Sequence, residues 1–417
     1  MSEYDDSKRR FLKQLSRPTW LEINLEHLRG NFRSLRSVTG ADVSIMAIVK
    51  MQAYGHGLTP VATLLEKEGC TFFGVSSPGE VKQLRDVGIV SPILMLGAFQ
   101  QNDLPLLARL KTSILISGIE QVQILHQLEQ TERRQIRMHI KVDTGMGRLG
   151  VWYEEFGHFL DRFLKLFDPS AVEGICTHFS SSDITEDTFT ELQLERFEGA
   201  LTIARKKGVV PSYIHAANSA GVMRTSKSHF NLVRPGLVLY GVHPLKGPSE
   251  KTVPLREVME LKSRVTHIKC VPAGVPVSYG RAYTTPSETK LGVVPVGYAD
   301  GYPRSLSGKA RVLIKGGIFP VVGTICMDHI IVDLGSSSQV AVGDDVTLIG
   351  SDGESTITIS ETAELAGTIP YEIMTSLGKS LSKLYKIQTL GDLTTSVSLV
   401  YNEQTLEDYN PLSTTQG

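Results

Sequence analysis

Cysteine is scarce and scattered in this sequence. Its 417 residues contain four cysteines, Cys70, Cys176, Cys270 and Cys326, with neither the spacing of a metal-binding knuckle nor the density of a disulfide scaffold. The first residues, MSEYDDSKRRFLKQL, mix acidic and basic side chains and lack the apolar core of a secretory signal. Both features favour a reducing, cytoplasmic location, and we expect no bound metal.

A charge excess of one sign and long apolar runs are also missing. The chain has 43 Lys and Arg against 44 Asp and Glu, a formal net charge of −1, so no broad field attracts nucleic acid or an anionic membrane. No run approaches the roughly 18 apolar residues of a membrane span. With 41% hydrophobic residues the chain can bury one large core or two smaller ones. We therefore expect neither nucleic-acid nor membrane partners.

Short β-branched runs alternate with helix-length segments between about residues 20 and 254. The eight strand candidates are 43–49, 72–76, 93–96, 113–116, 138–142, 172–177, 213–215 and 232–240. Amphipathic segments such as 79–87, 120–130 and 189–206 lie between them. This alternation is typical of parallel sheets, and the eight strands favour a (β/α)8 barrel of the TIM type over an open doubly wound sheet.

The pattern changes after residue 255. Strand-like segments at 261–270, 290–296, 310–315, 330–334 and 345–349 are separated by Gly, Pro and Asp turns. This predicts a mostly antiparallel β domain. The predicted divisions are an N-terminal extension, a barrel, a C-terminal β domain and a flexible tail: 1–17, 18–254, 255–400 and 401–417. A polar linker is predicted at 246–251.

Chemically versatile side chains follow the predicted barrel strands. Lys50 ends the first strand, in AIVKMQAYGHG, where partial desolvation would lower the pKa of its amine. Arg148 in KVDTGMGRLG is suited to a carboxylate, and His178 follows the sixth strand in THFSSSD. Ser219 in HAANSAG and Arg234 in VRPGLVLYG follow the last two strands. Taken singly, most of these residues are more readily explained as structural.

Together they indicate a cofactor site. The carboxyl ends of barrel strands meet at one mouth, where barrel enzymes carry their active sites. A lysine, a hydroxyl at a helix start and two arginines in one mouth suggest an enzyme that uses pyridoxal 5'-phosphate. If the donor-only guanidinium of Arg234 faces the pyridine nitrogen, that nitrogen stays unprotonated. The cofactor is then a weaker electron sink, which suits simple proton exchange at Cα.

The ordered set of motifs resembles the bacterial alanine racemases over about residues 18–390. To those quoted above it adds SYG, VGYADGYPR, CMD and IPYE. The resemblance implies a pyridoxal phosphate enzyme with a barrel and a β domain. It also implies a homodimer with shared active sites that interconverts L- and D-alanine by a two-base mechanism. That activity supplies D-alanine for peptidoglycan.

The same resemblance implies residue roles in the cofactor site. Lys50 would be the Schiff-base lysine and one catalytic base, and Tyr279 of the partner subunit would be the other. Arg234 would face the pyridine nitrogen, and His178 would link Arg234 to the tyrosine base. The positions that match the phosphate site are Tyr54, Ser219, Gly236, Leu237 and Tyr371.

Substrate contacts are implied in the same way. Arg148 matches an arginine near the substrate carboxylate, and Lys141 matches a lysine that is often carbamylated in the family. Met327 matches a substrate-contacting position supplied by the other subunit. Tyr298 and Asp328 match the entryway and a neighbouring position.

One departure from the family pattern affects the substrate range. The lysine motif usually reads KANAYGHG, whereas Met51 and Gln52 stand here beside the reactive lysine. A racemase of serine or another small amino acid therefore stays an alternative. A non-catalytic cofactor-binding protein is another, although it would not need Tyr279, Met327 or the β domain. A barrel decarboxylase would require an acid in place of Arg234.

Overall fold

The structure, a computed structural model, describes residues 3–184, 186–245 and 253–386. The predicted linker at 246–251 and the predicted tail at 401–417 lie outside the described residues. The chain forms two compact units. Within the described residues, the barrel unit comprises 29–53, 58–184, 186–245 and 253–255, and the sheet unit comprises 3–28, 54–57 and 256–386.

Eight parallel strands form the core of the barrel unit. They are β2 (Ser44–Ile48), β3 (Phe72–Val75), β4 (Ile93–Met95), β5 (Ser113–Ile116), β6 (Arg137–Asp143), β8 (Val172–Cys176), β9 (Tyr213–His215) and β10 (Leu232–Val233). Their order is β10-β2-β3-β4-β5-β6-β8-β9, so the ladder is continuous except between β9 and β10, and the short β7 (Val151–Trp152) adds to β6. The predicted barrel is confirmed. The last strand is shorter than the predicted 232–240, since it ends at Val233 and residues Leu237–Tyr240 form a 3-10 helix instead.

Helices connect the barrel strands. They are α4 (Leu58–Lys67), α5 (Pro78–Asp86), α6 (Leu104–Arg109), α7 (Ile119–His126), α8 (Gln130–Arg133), α9 (Phe156–Phe163), α10 (Phe189–Lys206) and α11 (Ser219–Arg224). In α10, buried positions such as Phe197, Leu201 and Ala204 recur three and four residues apart, as expected for one apolar helix face. A further helix, α2, spans Leu25–Thr39.

A ten-stranded sheet dominates the other unit. Its strands are β1 (Thr19–Asn24), β11 (Met259–Arg264), β12 (His267–Val271), β15 (Thr289–Val294), β16 (Arg311–Ile314), β17 (Gly317–Val322), β18 (Ile330–Asp333), β19 (Asp345–Asp352), β20 (Ser355–Ile357) and β21 (Lys383–Lys386). Every pairing is antiparallel except that of β1 with β21. The hairpin β13 (Pro276–Val277) and β14 (Tyr283–Thr284) and the helices α1 (Glu3–Gln14), α12 (Ile359–Ala366) and α13 (Pro370–Leu377) complete it. The predicted antiparallel β domain is confirmed.

The N-terminal segment groups differently from the predicted division. The predicted barrel domain spans residues 18–254, whereas β1 pairs with β11 and β21 in the sheet unit. Its first five residues are all buried, as in a central strand. Phe11 of α1 packs with Trp20 and Leu384, so the predicted extension contributes to the apolar core of this unit. A strand distant in sequence from its partners gives no local signal of the sheet it joins.

The described residues contain neither a membrane-spanning helix nor a cluster of metal-ligating side chains. None of the helices in that part of the chain combines the length and apolar character needed to span a bilayer. The same residues contain no group of three or more His, Cys, Asp or Glu side chains arranged for a metal ion.

Candidate active site

Arg234, which follows β10, is anchored by four acceptors. Its Nη1 donates to Nδ1 of His215 at 2.9 Å, and its Nη2 donates to the backbone oxygens of Thr177 and Ala216 at 2.7 and 3.0 Å. Nη2 also lies 3.3 Å from Nδ1 of His178. Burial lowers the pKa of the guanidinium. These contacts hold a buried cation in one orientation at the ends of three barrel strands.

His178 is held neutral beside this arginine. Burial moves the pKa of its imidazole well below the usual value, and the positive charges of Arg234 and Lys141 lower it further. The guanidinium only donates hydrogen bonds, so Nδ1 of His178 accepts and the ring proton lies on Nε2. A neutral Nε2–H group is therefore available for a further hydrogen bond.

Lys50 follows β2 and has a weakened affinity for its proton. Burial lowers the pKa of its amine, and the charge of Arg148 lowers it further. Glu80 opposes both effects and is itself buried. A lysine with a lowered pKa has a larger neutral fraction and is a better nucleophile.

The turn after Lys50 is left-handed. The element α3 (Lys50–Tyr54) has φ near 53° at Met51, Gln52, Ala53 and Tyr54, an unfavourable conformation for residues with a Cβ. The Gln52 N–H donates to Oε1 of Glu80 at 3.2 Å. The other carboxylate oxygen of Glu80 accepts from the Ser76 N–H and hydroxyl, at 2.9 and 2.8 Å. Glu80 thus ties the strained turn to the end of β3.

Lys141 on β6 is a second buried lysine in the same cluster. Its pKa is lowered to about 8, mainly by burial; Arg234 and Arg148 lower it further, whereas the Cys176 thiol group partly offsets these effects. Arg148 itself is exposed in the loop after β6. Lys50, Lys141, Arg148, His178 and Arg234 therefore share one electrostatic environment, as the barrel prediction required.

Ser219 fastens the loop after Arg234. Its buried hydroxyl oxygen accepts from the backbone N–H groups of Gly236 and Val238, at 2.9 and 3.4 Å. Leu237 between them is buried. Asn218 caps α11 by accepting from the Gly221 N–H at 2.9 Å. The predicted phosphate residues of the barrel unit thus lie together.

The remaining predicted site residues belong to the sheet unit. The rings of Tyr54 and Tyr371 have centroids 5.6 Å apart. Tyr279, Met327 and Tyr298 are 71%, 58% and 44% exposed. Their loops are joined by two hydrogen bonds to backbone carbonyl oxygens. Thr324 Oγ1 donates to the backbone oxygen of Tyr279 at 2.9 Å, and the Tyr298 N–H donates to the backbone oxygen of Cys326 at 3.2 Å. Asp328 pairs with the neighbouring His329 at 2.8 Å.

Sequence reasoning missed two residues that orient this site. Glu80 is a buried carboxylate near Lys50, and its position on α5 carried no motif signal. His215 opens the HAANSAG motif and accepts from Arg234, yet it was not selected. Its place at the end of a predicted barrel strand, beside a predicted cofactor residue, was the available clue.

Comparisons with known proteins agree with this geometry. The alanine racemase N-terminal domain matches residues 23–244 and the C-terminal domain matches residues 258–385. An alanine racemase of Geobacter sp. (strain M21) is 45% identical over 366 residues, which cover 86% of this chain and 96% of that protein.

Solved structures give the same result. An alanine racemase of Clostridium difficile 630 superposes with a TM-score of 0.82 at 35% identity, covering 89% of this chain and 96% of the other. One from Bartonella henselae, described with covalently bound pyridoxal phosphate, has a TM-score of 0.79 at 30% identity, covering 88% and 99%. With both domains matched across nearly all described residues, the chain belongs to the alanine racemase family, which uses pyridoxal phosphate.

Proposed function

We propose that this protein interconverts L- and D-alanine with pyridoxal 5'-phosphate and two catalytic bases. The observation that carries the proposal is the pairing of a low-pKa Lys50 with a buried, donor-only Arg234 in one barrel. The first supplies a nucleophilic amine, and the second is suited to a ring nitrogen that must accept a hydrogen bond.

The residues proposed for the site fit the cofactor. Lys50 would hold its aldehyde carbon and Arg234 its pyridine nitrogen. The positions proposed for its phosphate are Tyr54, Ser219, Gly236, Leu237 and Tyr371. The guanidinium groups of Arg148 and Arg234 also suit anionic groups. When bound, the cofactor withdraws electrons from the substrate and acidifies its α-proton.

The chain's own residues divide the remaining work. Arg148 would bind the substrate carboxylate, and Lys141 beside it, in carbamylated form, would orient that arginine. Lys50 would move a proton at one face of Cα, and Tyr279 of the partner subunit at the other. His178, neutral and protonated at Nε2, would donate to that tyrosine and link it to Arg234. Inversion needs a proton donor on each face, so one base alone would be inefficient.

A shared site in a homodimer follows from this assignment. Tyr279 is 71% exposed in the single chain, an unusual position for a catalytic base unless a second copy covers it. Met327, Tyr298 and Asp328 lie on the adjoining loops and would contact the substrate or line its entry in the partner. We also propose a cytoplasmic location, supported by four free cysteines, and a role in supplying D-alanine for peptidoglycan.

Alanine is the preferred substrate in this proposal. The Gln52 side chain, which departs from the family motif, donates to Gln83 at 2.9 Å, and Met51 is 60% exposed. The contact of Gln52 with Gln83 and the exposure of Met51 support side chains that turn away from the amine of Lys50. The larger residues therefore need not alter the pocket for a methyl side chain.

The test is proton exchange at Cα. Purified protein loaded with cofactor is incubated with L-alanine in heavy water, α-deuterium is followed by NMR, and handedness by chiral chromatography. Deuterated D-alanine is expected, with none from Lys50→Arg. Tyr279→Phe should slow proton removal from one enantiomer much more than from the other. If the cofactor is bound to Lys50 and exchange occurs with serine but not with alanine, serine replaces alanine as the proposed substrate.

A further inference from the structure

A chain of hydrogen bonds runs from Arg234 through the barrel interior. Arg234 Nη1 lies 2.9 Å from Nδ1 of His215, and Nε2 of His215 lies 2.7 Å from Nδ1 of His139 on β6. Nε2 of His139 lies 3.0 Å from Oε2 of Glu173 on β8, which also accepts from the Ser113 hydroxyl at 2.5 Å. Both histidines are fully buried, whereas the Glu173 side chain is 20% exposed.

The donor-only arginine at one end and the acceptor-only carboxylate at the other together fix every proton in this hydrogen-bond chain. Because the guanidinium donates, Nδ1 of His215 must accept, and a neutral His215 carries its proton on Nε2. His215 then donates to Nδ1 of His139, which leaves the His139 proton on Nε2, facing the Glu173 carboxylate. All four groups find hydrogen-bond partners only if every bond in the chain is donated from the Arg234 side towards Glu173. Burial lowers the pKa of both rings, in agreement with two neutral histidines.

The strands β6 and β8 leave room for this row of hydrogen-bonded side chains. The register between β6 and β8 shifts after Met138: Met138 pairs with Val172, and His139 pairs with Gly174. Glu173 is therefore an extra residue at a bulge, a feature that redirects a side chain. A Cβ on Gly174 would lie 2.2 Å from Nδ1 of His139, so the ring occupies space that only glycine leaves.

We propose that Glu173 and His139 are positioning residues for Arg234. By accepting the His139 proton, Glu173 selects the His215 tautomer that offers Arg234 a lone pair. Without an acceptor at Glu173, both rings can reverse their tautomers, and His215 then presents an N–H group to the N–H of Arg234. Two opposed donors would displace the guanidinium. The catalytic consequence rests on the proposed function, since it assumes that Arg234 faces the cofactor ring.

The tautomers are measured directly in cofactor-loaded protein with ¹⁵N-labelled histidine. Long-range ¹H–¹⁵N correlation spectra at pH 7 should show His139 and His215 neutral and protonated on Nε2 in the wild-type protein. Single His→Gln variants identify the signals. A proton on Nδ1 of His215, or a doubly protonated ring at either position, overturns the proposal without any Glu173 variant.

Two substitutions at Glu173 separate positioning from general stability. Glu173→Leu removes the acceptor; an Nδ1-protonated His215 signal should appear, and kcat for alanine should fall about tenfold with little change in KM. Glu173→Gln keeps an acceptor oxygen and should preserve both the tautomers and kcat within twofold. Glu195→Leu, at an exposed site on α10, is the matched control.

The outcomes distinguish the two proposals. Unchanged tautomers in Glu173→Leu, or equal losses in Glu173→Leu and Glu173→Gln, refute the positioning role. If Glu173→Leu does not fold, a wild-type His215 protonated on Nδ1, or a Glu173→Gln variant with altered tautomers, still refutes the proposal. Tautomers that respond as expected in a protein without racemase activity would instead refute only the proposed function.

Discussion

Replacing Lys141 by methionine should stabilise the protein. The ammonium of Lys141 is buried on β6, where Arg148 and Arg234 add positive charge. Burial and these charges lower its pKa from 10.5 to about 8. The folded state therefore holds the protonated lysine less favourably than the unfolded chain does.

The size of the effect follows from the two pKa values. A difference of about 2.5 units, from 10.5 to 8, corresponds to about 3 kcal/mol of lost stability while the lysine is charged in both states. Because the folded-state pKa is the lower one, this cost is fully present below about pH 8. It shrinks as pH rises and disappears above the unfolded-state value of 10.5. Methionine fills a similar volume and carries no such cost.

Thermal unfolding of cofactor-free protein in carbon dioxide-depleted buffer measures the stability gained by Lys141→Met. At pH 7, Lys141→Met should raise Tm by roughly 6–12 °C, given about 2–4 °C per kcal/mol for a unit of this size. The gain should shrink towards pH 10. Lys67→Met, at an exposed lysine that ends α4, is the control and should leave Tm nearly unchanged.

The reasoning fails if Lys141→Met is no more stable than the wild type, if Lys67→Met gains as much, or if the gain does not depend on pH. If it holds, Lys141 is a residue that the fold retains at a cost in stability. Such residues are common in active sites, where function opposes optimal packing.

Three further outcomes are expected. With ¹³C-bicarbonate, a carbamate ¹³C signal should appear in the wild-type protein and be absent in Lys141→Arg, because the neutral lysine amine forms an N–C bond to carbon dioxide and releases a proton. A signal that persists in Lys141→Arg would place the carbamate elsewhere. Glu80→Gln keeps one of the two acceptor oxygens and removes a charge that raises the pKa of Lys50, so the pH midpoint for labelling Lys50 with an amine reagent should fall. An unchanged midpoint would contradict the electrostatic role. Phe11→Ala should cost about 3 kcal/mol because Phe11 is buried against Trp20, and an unshifted urea midpoint for tryptophan fluorescence would refute that contribution.

Much of the fold could be predicted because local signals were strong. Each barrel strand is short, β-branched and bounded by turns, and β5 and β9 have the predicted limits. β1 has the same local character, but its partners β11 and β21 lie more than 200 residues away, so the sequence did not reveal its sheet. Long-range pairing of a single strand has no periodic signature.

The residues of the candidate site likewise divide into those that local sequence signals predict and those that they do not. Lys50, Ser219 and Arg234 were found because they end predicted strands within recognisable motifs. Glu173 was not, because its role depends on a shift of one residue in the register between β6 and β8. His139 and Lys141 are two residues apart on one strand and so share a face, which could have suggested that both point into the barrel.

The charge balance of the barrel cluster explains why these hidden residues matter. Arg234 and Lys141 both lower the pKa of His178, and Arg148 lowers the pKa of both lysines. A cluster of this kind favours anionic ligands and disfavours its own charged state. Arg234 can contribute to it only if its donors meet acceptors, and the neutral His215 is the one side-chain acceptor at Nη1 in the described chain. On the proposed positioning role, the His215 tautomer therefore holds Nη1 of Arg234 in place, while the backbone oxygens of Thr177 and Ala216 hold Nη2.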